Sequence, residues 1–142
     1  MRFLSNEEQQ QFQRFFLIRD YLEDKQTEID DWNRAMLNGD AATAAVNSRR
    51  MTNLGVFRAY LLQYLRSNPS LRQDMTLIVR QLPPSPTGLP LEIYCFTNTT
   101  AWVEYEAIQS DIFDHVLAIL PEFGLRIFQQ PSGQDWQALR MG

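Results

Sequence analysis

In residues 75–82 the apolar positions Leu77 and Val79 alternate with Thr76 and Arg80, the two-residue period of a strand with one buried face. Pro83, Pro84, Pro86 and Gly88 end that run, because proline has no N–H for a ladder and glycine enters turn conformations freely. Alternation resumes over residues 91–97, with Leu91, Ile93 and Cys95 on one face and Glu92, Tyr94 and Phe96 on the other. After the turn residues 98–100 the period lengthens. Trp102, Tyr105, Ile108, Ile112, Val116 and Ile119 step by three and four, which predicts an amphipathic helix. Pro121 and Gly124 stop it, and residues 125–128 predict a last short strand. These faces converge on a predicted core of Leu77, Val79, Leu91, Ile93, Cys95, Ile108, Ile112, Val116 and Ile127.

The first half is mostly helical. Residues 2–4 are the candidate for a first strand, and Ser5 with Glu8 three positions on makes a capping box. The helix that follows extends to the stop signal Asn38-Gly39. Its stripe of Phe15, Ile18, Leu22, Ile29, Trp32 and Met36 has near-heptad spacing, interrupted by Lys25. Phe12, Phe16 and Leu17 lie off that stripe and add apolar area suited to a neighbouring subunit. Residues 39–48 are small and polar, a loop. Thr52 or Asn53 then caps a helix reaching Arg66, with Leu54, Phe57, Leu61, Tyr64 and Leu65 on its buried face and Asn68-Pro69 at its end. With one helical excursion set aside, the order is βαββαβ. The expected fold class is α+β, a ferredoxin-like sandwich with an extra long N-terminal helix. The expected domain covers residues 1–130, of which 5–51 are a helical extension, and 131–142 form a flexible tail that carries Trp136 and Leu139.

Four segments carry a family resemblance: RFLSNEE (2–8), RRMTNLGVFRAYLLQYL (49–65), DMTLIVRQLPPSPTGLPLEIYCFT (74–97) and IFDHVLAILPEFGLRIFQ (112–129). Together they resemble the C-terminal cytoplasmic α/β domain of bacterial mechanosensitive channels of the small-conductance superfamily, and within it the miniconductance branch. The resemblance implies a module that assembles with copies of itself into a hollow vestibule beneath a pore, in a channel that releases ions or osmolytes on hypoosmotic shock. It also implies transmembrane segments upstream of Met1, residence of the full protein in the bacterial inner membrane, and a cytoplasmic position for this domain. In the broader family the segment after the domain builds a small barrel. Residues 131–142 lack the alternation that such a barrel needs.

Composition narrows the alternatives. A chain of 142 residues with 44% hydrophobic and 12% aromatic content can bury roughly 70% of its unfolded surface and sustain a core of its own. Thirteen basic against 17 acidic residues give a formal charge of −4, which argues against nucleic acid or an anionic lipid surface as partner. The longest apolar runs, 15–18 and 116–120, fall far short of the about 20 residues a bilayer needs. Asn6, Glu7 and Glu8 turn the N-terminus polar at once, unlike a signal peptide. The chain by itself is thus expected to be soluble and non-conducting.

Candidate chemistry is sparse. The one histidine, His115, shares a helix face with Asp111 and adjoins Asp114, but a metal site needs further ligands and none lies nearby in sequence. Glu104 and Glu106 belong to the same charged face. Arg49-Arg50 precedes a helix N-terminus, where it can meet a phosphate or pair with acidic neighbours such as Asp30-Asp31. Cys95, the single cysteine, lies mid-strand as a small hydrophobe and excludes an internal disulfide. No phosphate-binding, dinucleotide or nucleophile-elbow pattern occurs. The expectation is no catalytic, metal or cofactor residue, and no enzyme. A different class of function, a stand-alone ferredoxin-like regulatory module that binds a small molecule, fits the same fold.

Overall fold

The computed structural model of the protein describes residues 1–12, 19–37 and 49–129. Helix α1 (Asn6–Phe12) starts on the capping box that the sequence predicts. The Glu8 amide donates to Ser5 Oγ and the Ser5 amide donates to Glu8 Oε1, both at 3.2 Å, so two orphan donors of the first turn are satisfied reciprocally. Helix α2 (Arg19–Leu37) buries Leu22 and Ile29, one heptad apart, and leaves Met36 exposed. Lys25 between them leans its ammonium onto Glu28 at 3.4 Å. Phe15, Ile18, the Asn38-Gly39 stop, the loop 39–48 and the tail 131–142 lie outside the described residues or extend beyond them, as do the side chains of Phe12, Phe16 and Leu17.

Helix α3 (Asn53–Arg66) is the centre of the molecule. Thr52 is its N-cap, with Oγ1 accepting from the Gly55 amide at 3.0 Å. Asn53, Leu54, Val56, Phe57, Tyr60, Leu61 and Leu65 are all buried, which is more than one stripe of a helix and marks an element covered on several sides. Strands β1 (Ile78–Gln81) and β2 (Leu91–Tyr94) pair antiparallel, Val79 opposite Ile93 and Gln81 opposite Leu91. The inward residues Leu77, Val79, Leu91, Ile93 and Cys95 pack against the core, whereas Arg80 and Glu92 face each other on the outer side at 2.9 Å. Pairing is shorter than the predicted 75–82 and 91–97. Toward the tip one more bond follows, from the Leu82 amide to the Pro90 carbonyl at 2.9 Å, and at the other end pairing resumes where the Arg72 amide donates to the Phe96 carbonyl at 2.7 Å and Leu71 bridges Thr97. At the hairpin tip Ser85 and Gly88 exchange backbone bonds of 2.8 and 3.0 Å, and Gly88 takes φ 127°, a conformation closed to most side chains.

Helix α4 (Trp102–Ile119) lays Ile112, Ile108 and Val116 on the core and runs into a 3₁₀ turn, Leu120–Phe123, whose Phe123 is fully buried. Gly124 closes that turn at φ 66°. The predicted stripe of α4 holds only from Ile108 onward. Trp102 and Tyr105 are exposed, Trp102 at 76%, because the core begins beneath Ile108; the Trp102 indole donates along the helix to Glu106 at 2.9 Å.

The fold is α+β, and two predicted strands differ from expectation. Among the described residues the sheet has two strands. Residues 2–4 are extended, but they spend their hydrogen bonds on the entrance to α3. Asn53 N donates to Arg2 O at 2.9 Å, Leu4 N donates to Met51 O at 3.0 Å, and Phe3 bridges Thr52. Residues 125–129 form no ladder, and Ile127, placed in the core by its sequence period, is 55% exposed. A period of two fixes which side chains share a face, not whether an edge is available to pair with. The rest of the predicted core is present, with Ile112 buried and its companions half-buried around α3.

Candidate functional site

The residues singled out for chemistry are drawn into structural roles. His115 turns away from an acid–base partnership with Asp111. Its Nε2 lies 2.8 Å from the Tyr60 hydroxyl, and its ring stacks on Tyr64 with centroids 4.1 Å apart. Tyr60 meets Phe123 at a tilt, centroids 5.3 Å apart, and Phe123 meets Phe57 edge-on at 5.2 Å. The cluster is thus an aromatic junction between α3, α4 and the 3₁₀ turn. Burial raises the hydroxyls of Tyr60 and Tyr64 above the usual phenol range, and the Asp111 charge adds to the rise at Tyr64. Both phenols are protonated at neutral pH and act as hydrogen-bonding groups, not acids. Burial likewise pushes the Cys95 thiol up, which suppresses the thiolate that nucleophilic chemistry needs. Among the described residues no group of three His, Cys, Asp or Glu side chains could hold a metal ion.

The arginine pair is engaged as well, though not with Asp30-Asp31. Arg49 Nη2 reaches Glu28 Oε1 at 3.0 Å and its guanidinium lies 5.8 Å from the Trp32 ring centre. The Glu28 carboxyl is held below its usual range, by Arg49 first and Lys25 second. Asp30 instead accepts from Gln26 at 2.8 Å, and Asp31 pairs with Arg34 at 3.5 Å. Arg50 covers the Phe3 ring at 4.0 Å. The backbone of Arg49 is fixed too: Asn33 Nδ2 donates to Arg49 O at 3.1 Å, and Arg49 N donates to Asn33 Oδ1 at 2.8 Å.

Sequence reasoning offered Asn53 only as an alternative helix cap; it is the one buried polar residue among those described, 1% exposed. Its Oδ1 accepts from the amides of Arg2 and Leu54, both at 2.9 Å. Its Nδ2 donates to the carbonyls of Phe123 at 3.0 Å and Gly124 at 3.3 Å. One side chain thereby joins the chain entry, the start of α3 and the turn after α4. Burying an amide without partners is costly, and here every polar atom is satisfied.

Two surface features complete the picture. A cleft of about 900 Å³ opens between α3, the hairpin and α4, lined by Phe57, Leu61, Ile93, Phe113, Val116 and Leu117 among others. Trp102 and Val103, 76% and 82% exposed, stand on the first turn of α4. Exposed apolar area of this kind suits contact with other chains. The family description "Mechanosensitive ion channel MscS, C-terminal" matches residues 43–127, more than half of the chain.

The chain belongs to this family. MscS-type proteins are ion channels, not enzymes. The low conductance mechanosensitive channel YnaI of Escherichia coli (strain K12) is 31% identical over 71 residues, which are 50% of this chain and 21% of the relative. The chain therefore spans about a fifth of that relative's length. Among the described residues no helix of this MscS C-terminal domain is long and apolar enough to cross a membrane.

Proposed function

We propose that this chain is the cytoplasmic vestibule and oligomerisation domain of a mechanosensitive channel that releases ions or osmolytes on hypoosmotic shock. The family match over residues 43–127 carries this reading. In this scheme membrane-spanning segments precede Met1, the full protein sits in the bacterial inner membrane, and identical copies of this domain surround an axis beneath the pore. The domain itself conducts nothing; its subunit contacts and surface charges shape the compartment that solutes cross. A ferredoxin-like βαββαβ arrangement is part of the proposal for the assembled domain. Its support is the antiparallel hairpin, the packing of α3 and α4 on that hairpin's inner face, and the extended segments at 2–4 and 125–129 that flank it.

The test is made on the full-length protein in cells stripped of their own mechanosensitive channels. Expression should restore survival of an osmotic downshock, and membrane patches should pass current when suction is applied. Cells that die as readily with the protein as without it, and patches that stay silent, would remove the channel reading. The apolar cleft favours a second reading, a regulatory module that binds a small apolar ligand in a cavity of ordinary ligand size. A reading frame that encodes no apolar segments of about 20 residues beside this domain would select it.

A further inference from the structure

The geometry points to a clasp at Asn53 that fastens the entering chain to the far end of the domain, so that displacement of the chain at Arg2 is delivered to the 3₁₀ turn and α3 before it reaches the hairpin. This rests on the channel reading above, in which the chain before Met1 leads to the membrane.

Three grips hold residue 2. Its amide donates to Asn53 Oδ1 and its carbonyl accepts from Asn53 N, both at 2.9 Å, so Asn53 holds both sides of one residue. Its guanidinium forms a two-pronged pair with Glu8, Nη2 to Oε2 at 2.6 Å, which anchors it to the first turn of α1. Its Nη2 also lies so close above Gly124 that a Cβ there would come within 2.5 Å, and at φ 66° Gly124 is the residue type suited to both demands. From the same asparagine, Nδ2 reaches the carbonyls of Phe123 and Gly124, some seventy residues away. Phe123 is fully buried between Phe57 and Tyr60, so the turn cannot shift without disturbing the aromatic junction of α3 and α4. Among the described residues the hairpin shares no hydrogen bond with this clasp: its strands are bonded to each other and meet α3 through side chains packed on the core. Motion entering at residue 2 thus meets a short path of hydrogen bonds that runs from the surface through the buried Asn53 into the helical layer, and the hairpin follows second.

Two variants of the full-length protein test the clasp, one buried and one exposed. Asn53→Ala removes the pin, and Glu8→Gln weakens only the surface grip, so the second variant stays informative if the first fails to fold. Hydrogen exchange on the purified protein should show about tenfold or greater loss of protection at the Leu4 and Asn53 amides, with Val79 and Ile93 unchanged. In membrane patches both variants should shift the opening tension with the same sign and leave single-channel conductance as in the wild type. The double variant should fall short of the sum, since both act on one residue. Protection lost equally in the hairpin would show that Asn53 merely stabilises the fold and would overturn the proposal. So would wild-type gating in both variants once Leu4 and Asn53 exchange freely. If the wild-type protein itself passes no tension-gated current, the channel reading fails, and the exchange pattern alone decides whether the clasp exists.

Discussion

The Glu8 carboxyl titrates at about 2, well below an ordinary glutamate, because Arg2 hydrogen-bonds its ionised form and the Ser5 amide and hydroxyl add to it. A depressed carboxyl contributes stability that is complete above its unfolded value of about 4.3 and is lost as pH falls through its folded value. The N-terminal segment should therefore loosen between pH about 4.3 and about 2. Carboxyl-carbon shifts of Glu8 followed by NMR should move only in the lower part of that range, and Glu8→Gln should remove this pH dependence from the exchange of the Leu4 amide. The Ser5–Glu8 box was legible in the sequence, since three-residue spacing is all it requires. Asn53 was not. Its sequence neighbourhood reads as a helix cap, and only the fold shows that the cap itself belongs to Thr52 while Asn53 is enclosed by chain from three places. Tyr60 left a fainter trace. Its spacing of three from Phe57 and four from Tyr64 puts the aromatic residues on one helix face, yet nothing local pairs it with His115.

At the scale of elements, periodicity identified β1, β2, α3 and α4, because each buries a face within its own length. It misjudged the ends of α4, where Trp102 and Tyr105 continue the stripe beyond the core, and residues 125–128, whose alternation finds no ladder. The contrast between Ile112 and Ile127 turns this into a measurement. Ile112→Ala should cost about 2–5 kcal/mol in chemical denaturation, as removal of a packed aliphatic side chain does. Ile127→Ala, at a side chain 55% exposed, should stay within about 0.5 kcal/mol. Similar losses at both positions would mean that Ile127 shares the core after all. Arg49 shows the same limit on the polar side: a sequence names a basic pair and several acidic candidates, and only the geometry of α2 selects Glu28.

For the whole molecule, the resemblance carried further than the periodicity, since long matched segments identify a family where a common fold cannot. The exposed apolar side chains are the part of the structure that assembly should use. Trp32 is 36% and Met36 62% exposed on α2, with the Arg49 guanidinium beside the indole. Trp32→Glu and Met36→Glu in the full-length protein should reduce the yield of assembled oligomer and the survival of osmotic downshock, with little change in the stability of the subunit. Native electrophoresis beside a survival assay checks this, and wild-type behaviour in both would move the interface to another face.

The reciprocal hydrogen bonds between Asn33 and Arg49 have a consequence for how such domains diversify. They join a side chain on α2 to the backbone of residue 49, so the tie does not depend on which side chain position 49 carries. Descendants of this sequence can exchange the side chain at position 49 and keep that tie, whereas a change at Asn33 removes both bonds at once.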